Sequence, residues 1–429
     1  MVGRVAFHTL GCKLNQSETA VIQRGFEQRG FQIVEFGEAA DIIFINTCSV
    51  TGEAESRCRQ AIRKGIKFSP QAQIVVGGCL SQVKGESLKN IPGVRMVLGG
   101  GEKFKVLEYL ESEHDENTVI VSHSDHQNQF ALEESFGYAT NRTRAFLKIQ
   151  DGCTYCCTFC IIPTTRGPSR SRSSTSVYTA VLGLVEDGFK EVVLTGVNLV
   201  EYNGQEVGDL TGLIRLLDTI PGEFRIRLGS VEPNYIDREF VELIAHSNHF
   251  CPHFHLPLQS GDNEILRRMG RTYTPNEYSA AVETIQQKIP HAGIGCDVMV
   301  GFPGENDLHF SHTEELINSL PMLYCHVFTY SAREGTPSYG LTDTVPSHIM
   351  KERSRRLREL ATRKKAEFLQ KQLGRVVTVL FESTELDSWW YGFSESYVKV
   401  CCQGNGLANT VKDVRIDGHD GSVAFGKIM

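Results

Sequence analysis

Asp151-Gly-Cys-Thr-Tyr-Cys-Cys-Thr-Phe-Cys160 runs directly into Ile161-Ile-Pro-Thr-Thr-Arg-Gly-Pro-Ser-Arg170. Read as C-x3-C-x2-C, the first stretch places the thiols of Cys153, Cys157 and Cys160 on one tight loop. Three close cysteines hold three irons of a cubane cluster and leave the fourth iron open to a substrate or cofactor, whereas a simple electron carrier uses four. Two other uses of such a run compete. Disulfides are disfavoured because no secretory signal is read ahead of the fold, and cytosolic thiols stay reduced. Zinc is the closer rival, since Cys156 completes a C-x2-C-C-x2-C run. Zinc pairs usually come from separated knuckles, however, and no matching second pair lies nearby.

The 429-residue chain is long enough for about three domains. Its composition, 41% hydrophobic and 22% charged, is that of a globular protein without an apolar run that spans a bilayer, and a cytoplasmic location is expected. The net charge of −7 argues against a globally basic nucleic-acid binder, so such contacts must come from local patches. Thirteen cysteines without disulfides point to metal ligation.

Short apolar runs alternate with amphipathic segments through the first ~110 residues, which implies a parallel sheet with crossover helices, flavodoxin-like in outline. Strands are expected at 5–10, 31–36, 41–46, 73–77 and 94–98, with helices at 17–29 and 53–67. Three strands end alike, in Leu10-Gly-Cys12, Asn46-Thr-Cys48 and Gly77-Gly-Cys79. Ligands of open α/β sheets bind outside the carboxyl ends of strands, so these three thiols converge on one point and suggest a second cluster. The alternative is three buried, inert cysteines, a common fate of this residue. Cys58 falls mid-helix and reads as structural. From 110 to 142 the pattern dissolves into polar, turn-rich sequence that reads as a linker, with His114, His123 and His126 solvated in it.

Six further strands, at 144–150, 191–195, 224–228, 253–258, 294–300 and 326–330, sit at β/α spacing. Six units cannot close an eight-stranded barrel, so a partial barrel follows, with reactive groups on the loops after the strands. Those loops are polar and Gly-rich. Gly196, Asn198, Ser230, Glu232, Gln259, Asp297 and Phe302 are the candidates for a cofactor pocket there. A helix at 351–371 carries nine basic residues, Arg355, Arg356 and Arg363 among them, against Glu352, Glu359 and Glu367, an excess suited either to phosphate or to a solvated face. The β-patterned remainder, from 374 on, fits a small OB-type barrel. Its aromatics Trp389, Trp390, Tyr391, Phe393 and Tyr397 serve either as core or as base-stacking platforms. Cys401 and Cys402 read as structural.

Taken together, these motifs resemble the methylthiotransferases, radical S-adenosylmethionine (SAM) enzymes that insert a methylthio group into a C–H bond. The resemblance covers nearly the whole chain. It rests on Leu10-Gly-Cys-Lys-Leu-Asn-Gln-Ser-Glu18, Asn46-Thr-Cys-Ser-Val-Thr51, Gly77-Gly-Cys79, the Cys153 loop with Arg166-Gly-x-x-Arg-Ser-Arg172, His255-Leu-Pro-Leu-Gln-Ser-Gly261, Val300-Gly-Phe-Pro-Gly-Glu305 and Tyr330-Ser-x-Arg-x-Gly-Thr-Pro337. It implies an N-terminal cluster domain over 1–112, a linker over 113–141, a partial (β/α)6 radical SAM barrel with the basic helix over 142–371, and a C-terminal TRAM barrel over 372–429. It also implies two 4Fe–4S clusters, one on Cys153, Cys157 and Cys160 that binds SAM, the other on Cys12, Cys48 and Cys79 that carries the sulfur. One SAM methylates that sulfur and a second supplies the radical. Gly11-Cys-Lys-Leu-Asn-Gln16 is similar to the branch acting on N6-threonylcarbamoyladenosine beside the anticodon of tRNA; the alternatives are isopentenyl-adenosine in tRNA and an aspartate of a ribosomal protein. The partners so implied are a tRNA anticodon stem-loop, an electron donor such as flavodoxin or ferredoxin, and a sulfur donor, with no membrane. Arg166, Arg170, Arg172, Arg355, Arg356 and Arg363 are the expected RNA contacts. The terminal barrel's acidic balance shifts that burden to the helix before it.

Overall fold

The computed structural model describes residues 3–112, 117–122, 143–386 and 388–429, with the side chains of 383–386 left aside. His114, His123 and His126 lie outside the described residues.

The N-terminal unit comprises β1 (Arg4–Thr9), α1 (Lys13–Gln28), β2 (Gln32–Val34), β3 (Ile42–Thr47), α2 (Gly52–Phe68), β4 (Gln73–Gly78), α3 (Cys79–Lys89), β5 (Val94–Leu98), α4 (Val106–Glu111) and β6 (Thr118–Ile120). All its strands are parallel, in the order β2-β1-β3-β4-β5-β6. This is the doubly wound flavodoxin-like order with one strand added. The central strand β3 is buried along its whole length, its apolar Ile42–Ile45 run covered on both faces and its polar end, Asn46 and Thr47, hydrogen-bonded within the domain. Helix α2 starts where Thr51 Oγ1 accepts the Ala54 N–H at 3.1 Å, with Glu53 and Glu55 in its first turn. The apolar run expected within the linker is instead β6, which pairs with β5 through Met96–Thr118 and Leu98–Ile120.

The central unit contains β7 (Arg144–Lys148), β8 (Gln150–Asp151), α5 (Ile162–Arg166), β9 (Arg170–Ser171), α6 (Ser174–Glu186), β10 (Glu191–Thr195), α7 (Leu210–Leu217), β11 (Arg225–Leu228), α8 (Arg238–His246), β12 (His253–His255), α9 (Asn263–Arg268), α10 (Pro275–Lys288), β13 (Gly293–Val300), α11 (Asp307–Ser319), β14 (Tyr324–Thr329) and α12 (Ser347–Gln370). Strands β7, β10 and β11 form one parallel sheet and β12, β13 and β14 another. Bridges Ile226–Phe250 and Ser230–His255 join the two into a six-stranded partial barrel. Side-chain alternation splits each strand between two environments. Ala145, Leu147, Val192, Leu194 and Ile226 pack outward against the helices. On β7 and β11, Arg144, Phe146, Lys148, Arg225 and Arg227 take the other face, the barrel lumen.

Strands β15 (Val376–Leu386), β16 (Trp389–Ser394), β17 (Lys399–Gln403), β18 (Val411–His419) and β19 (Ala424–Ile428) close a small barrel in the order β15-β16-β17-β19-β18. Strand β18 was not expected: its alternation of Lys412, Asp413, Arg415 and Asp417 with only Val414 and Ile416 fully buried makes it read as polar loop. Trp390 belongs to this barrel's core with Cys402 and Val400. Phe393 and Tyr397, by contrast, stack on each other at 4.9 Å and face the central unit. The guanidinium of Arg144 lies 4.7 Å from the Phe393 centroid and that of Arg227 4.9 Å from the Tyr397 centroid.

A buried ion cluster holds this plug. Glu191 receives Arg225 and Arg227, which also donate to carbonyls of the small barrel: Arg225 to Thr378 and Phe393 at 3.0 and 2.8 Å, Arg227 to Ser394 and Glu395 at 3.1 and 2.9 Å. Burial opposes the Glu191 charge, yet Arg227 and Arg225 bring its pKa down to about 2. Gly293 is needed beside it, because a Cβ there would sit 1.9 Å from the Ser396 carbonyl oxygen. Removing one member strands the others as unpaired buried charges, so Arg227→Met is expected to cost about 3–5 kcal/mol. Both tryptophans of the chain lie in the small barrel, so tryptophan fluorescence during denaturant unfolding reads this docking selectively. An unchanged midpoint would show that the cluster does not hold the plug.

Candidate active site

Two cysteine triads sit on neighbouring walls of one recess. Cys12, Cys48 and Cys79 follow β1, β3 and β4, which are adjacent in the sheet. Cys12 is the N-cap of α1, and Cys79 opens α3 after Gly78 at φ +105°. Two helix N-termini therefore direct positive dipole ends at this point. A Cβ on Gly11 would lie 2.9 Å from Cys48 Sγ, and one on Gly78 2.4 Å from Asn46 Oδ1. Those two glycines let the three sulfurs draw together. Cys58 is buried beneath, with the Cys48 N–H directed at its sulfur at 3.3 Å, a structural role as expected.

The second triad, Cys153, Cys157 and Cys160, lies on the loop between β8 and α5. Gln150 shapes that loop: its Nε2 donates to the Gly152 carbonyl at 2.8 Å and to Ser169 Oγ at 2.9 Å, while its Oε1 accepts the Asn198 N–H at 2.9 Å. Gly196 leaves room for Gln150, whose Oε1 would be 2.9 Å from a Cβ there. Arg271 donates to Cys157 Sγ at 3.1 Å, and Asn198 Nδ2 lies 3.9 Å from Cys153 Sγ. Cys156 is exposed, its thiol directed to the Thr154 carbonyl of its own loop.

Burial pushes the Cys48 and Cys153 thiols up to about 12 and Cys160 up to about 11. Three thiols so placed become thiolates only when a metal shares their charge, which deprotonates a coordinating thiol outright. Ser49 and Ser81 flank the N-terminal triad with buried hydroxyls that find no partner among the described residues. The donor set and these hydroxyls fit a thiolate-held iron–sulfur group.

One network binds the two walls. Glu18, on α1, accepts from Arg166 at 2.8 and 3.2 Å, from Lys148 at 3.0 Å and from Lys103. Asp151, two residues before Cys153, accepts from Arg166 at 2.8 Å, Lys148 at 3.0 Å and Arg170 at 3.1 Å. Arg166 also donates to Asn15 Oδ1 at 2.8 Å. Burial opposes the Glu18 charge, but Arg166, Lys103 and Lys148 together hold its pKa well below the carboxylate range. The network has four cations to two carboxylates. Its surplus lies behind the N-terminal triad, where burial raises the Cys12 pKa and Arg166 offsets only part of that rise.

This corrects the expectation that Arg166, Arg170 and Arg172 contact RNA. Arg166 and Arg172 are almost fully buried and Arg170 is 9% exposed, all with protein partners. Arg355, Arg356 and Arg363 are exposed, yet each faces a carboxylate: Glu352 and Glu359, Glu314, and Glu367 respectively. Arg353 is buried against Glu305 and Asp307. Five of the helix's nine basic residues, Arg353, Arg355, Arg356, Arg363 and Lys364, thus have carboxylate partners, and exposed pairs of this kind are worth about 0–1 kcal/mol each.

Of the expected pocket residues, Ser230 and Asp297 meet through His255, which was not among them: Ser230 Oγ is 2.7 Å from His255 Nδ1, and His255 Nε2 is 3.1 Å from Asp297. The Gln259 N–H donates to the Asp297 carbonyl at 2.8 Å with Gln259 at φ +62°. Glu232 is bound by Arg271, which ties it to Cys157. Phe302 is not a pocket residue. It is fully buried with Ile265 and Met269 against Phe159, and supports the cysteine loop from below. Glu18, Gln150, Asp151, Glu201 and Arg271 were not singled out from sequence, since their partners are distant along the chain. Glu201, for example, accepts the Thr154 N–H at 3.1 Å from 47 residues away.

Residues 4–99 match the model of the uncharacterized protein family UPF0004, and 147–317 that of the radical SAM superfamily. The threonylcarbamoyladenosine tRNA methylthiotransferase MtaB of Bacillus subtilis is 37% identical over 93% of this chain and 90% of its own length. Its Aquifex aeolicus counterpart is 38% identical over 94% and 97%. The chain belongs to the radical SAM methylthiotransferase family. A second group of relatives in this methylthiotransferase family includes the tRNA-2-methylthio-N(6)-dimethylallyladenosine synthase of Staphylococcus haemolyticus, 34% identical over 90% of this chain and 77% of that one. In fold, the chain is similar to the radical SAM methyltransferase TsrM of Kitasatospora setae, at a TM-score of 0.56 and 15% identity over 79% of this chain and 77% of that one. The radical SAM methylthiotransferases are iron–sulfur enzymes that use SAM. No helix among the described residues is long and apolar enough to cross a membrane.

The depressed Glu18 pKa fixes a sign. A carboxylate whose pKa falls on folding adds stability above its unfolded pKa, about 4.3, and loses it as pH drops through the folded value. Glu18→Gln is therefore expected to cost about 3 kcal/mol at neutral pH, a deficit that is flat from pH 6 to 8 and shrinks only in acid. Denaturant unfolding of both proteins across pH checks this. A deficit that shrinks between pH 6 and 8 would contradict it.

Proposed function

We propose that this enzyme inserts a methylthio group at C2 of N6-threonylcarbamoyladenosine beside the anticodon of tRNA. The observation that carries this reading is the pairing of two cysteine triads on one recess, with α3, which opens at Cys79, packed on α5, which opens two residues after Cys160. The choice of nucleoside is supported by the names of the relatives at 37% and 38% identity, which match along nearly the whole chain.

In this reading Cys153, Cys157 and Cys160 hold a 4Fe–4S cluster that binds SAM, and Cys12, Cys48 and Cys79 hold a second. When bound, these groups supply the electron for reductive cleavage of SAM and the iron that accepts sulfur. The protein's own residues orient and shield. Arg166, Glu18 and Asp151 lock the two cysteine-bearing loops together, so that groups held on the two triads would keep one relative placement. Arg271 donates to Cys157 and offsets part of the rise that burial gives that thiol, and Asn198 donates toward Cys153. Ser230 and Asp297 fix the ring of His255 in the recess. A base in a stem-loop reaches such a depth only when it leaves its stack. An electron donor such as flavodoxin or ferredoxin and a sulfur donor complete the turnover. The division into cluster domain, SAM domain and barrel belongs to the same reading, with the first domain carried on to β6.

Anaerobically reconstituted wild type should carry about eight irons, and Cys12→Ala and Cys153→Ala about four each. SAM cleavage should be lost only with Cys153→Ala, and the methylthiolated nucleoside with both. Full iron in Cys12→Ala would remove the second cluster from the reading. A tRNA product at a dimethylallyladenosine instead would favour the other group of relatives.

A further inference from the structure

We infer that Lys13 is the specificity-determining residue that recognises the carboxylate on the N6 substituent of the target adenosine. This deepens the substrate reading above and rests on it. Lys13 follows Cys12 directly and begins α1, so its ammonium is tethered beside the N-terminal triad. Every other cation of this part of the recess has a carboxylate: Arg144 has Glu382, and Arg227 and Arg225 have Glu191. Among the described residues Lys13 has none within ion-pair distance. Its Nζ lies 5.8 Å from the centroid of Tyr397, the residue that the small barrel inserts into the lumen. Burial chiefly disfavours protonation of His253 on β12 and His326 on β14, and the nearby Lys13 charge adds to it.

These neighbours describe an anion site lined by aromatic rings. Tyr397 packs on His253 at 4.7 Å, and Tyr324 on His326 at 4.9 Å. The site is open, since Cys12 and His326 are exposed and Lys13 only partly buried. An unpaired cation in such a wall is costly to leave without a counter-ion and gains most from an anionic ligand. Adenine chemistry supplies the match. C2 and C6 flank the same ring nitrogen, so a base whose C2 faces the triad of Cys12 turns its N6 substituent toward the neighbouring side chain. Threonylcarbamoyl ends in a carboxylate, whereas dimethylallyl is uncharged, so one ammonium discriminates between the two.

The test compares wild type, Lys13→Gln and Lys13→Arg, each reconstituted and checked for iron content. The probes are one anticodon stem-loop bearing threonylcarbamoyladenosine and the same stem-loop with that carboxylate as its methyl ester. Equilibrium binding is measured alongside methylthiolation. Wild type is expected to bind the acid at least 10-fold more tightly than the ester. Lys13→Gln should lose that preference with full iron retained, and Lys13→Arg should keep most of it. Equal preference for the acid in wild type and Lys13→Gln overturns the inference while leaving the substrate reading intact. A wild type that binds and modifies the acid no better than an unmodified stem-loop overturns both.

Discussion

The arrangement depends on one buried contact, the guanidinium of Arg166 held between Glu18 and Asp151. Glu18 comes from α1 of the N-terminal unit and Asp151 from the base of the cysteine loop, so Arg166, with Lys148 beside it, spans two domains that share no strand. A hydrophobic contact of similar area would stabilise the interface as well, because desolvating ions is expensive. What it would lack is register. Fork geometry at Arg166, shared with Asn15, permits one relative placement of the two cysteine triads. Specificity of position, rather than net stability, accounts for so many charges in a buried place.

Much of this was legible in sequence because it is local. The βα alternation gave the strand positions of both parallel sheets, and a cysteine after each of three strands predicted their convergence. Helix β/α periodicity also located the six lumen strands to within a few residues. What escaped was long-range pairing. Arg166, Arg170 and Arg172 read as RNA contacts because nothing nearby in sequence neutralises them; the carboxylates that meet Arg166 and Arg170, Glu18 and Asp151, are on other elements, and Arg172 donates to Ser176. The charge run of α12 misled in the same way, since Glu305 and Glu314 are brought to it only by packing. Strand β6 is too short, and β18 too polar, for periodicity to separate them from loops.

Of the small barrel's aromatics, Trp390 is core, one of the two parts open to it, while Phe393 and Tyr397 take neither part. Phe393 and Tyr397 are spent on Arg144, Arg227 and His253, and the loop between β16 and β17 fills the narrow end of the central barrel. Gly293 marks the close approach of that loop. A domain docked this way shapes the floor of the recess, and its contribution to RNA binding has to come from its remaining, outward faces.

Charge then explains why an acidic protein is compatible with a polyanionic partner. The net charge is −7, yet cations accumulate toward the interior: four surround Glu18 and Asp151, and Arg144, Arg225, Arg227 and Lys13 lie below. Low-dielectric walls concentrate such a field within the recess, while the exposed carboxylates repel phosphates elsewhere on the surface. Both effects favour a single flipped, anionic base over a long stretch of backbone. On this argument affinity for the stem-loop is concentrated at one nucleotide rather than spread along a basic surface.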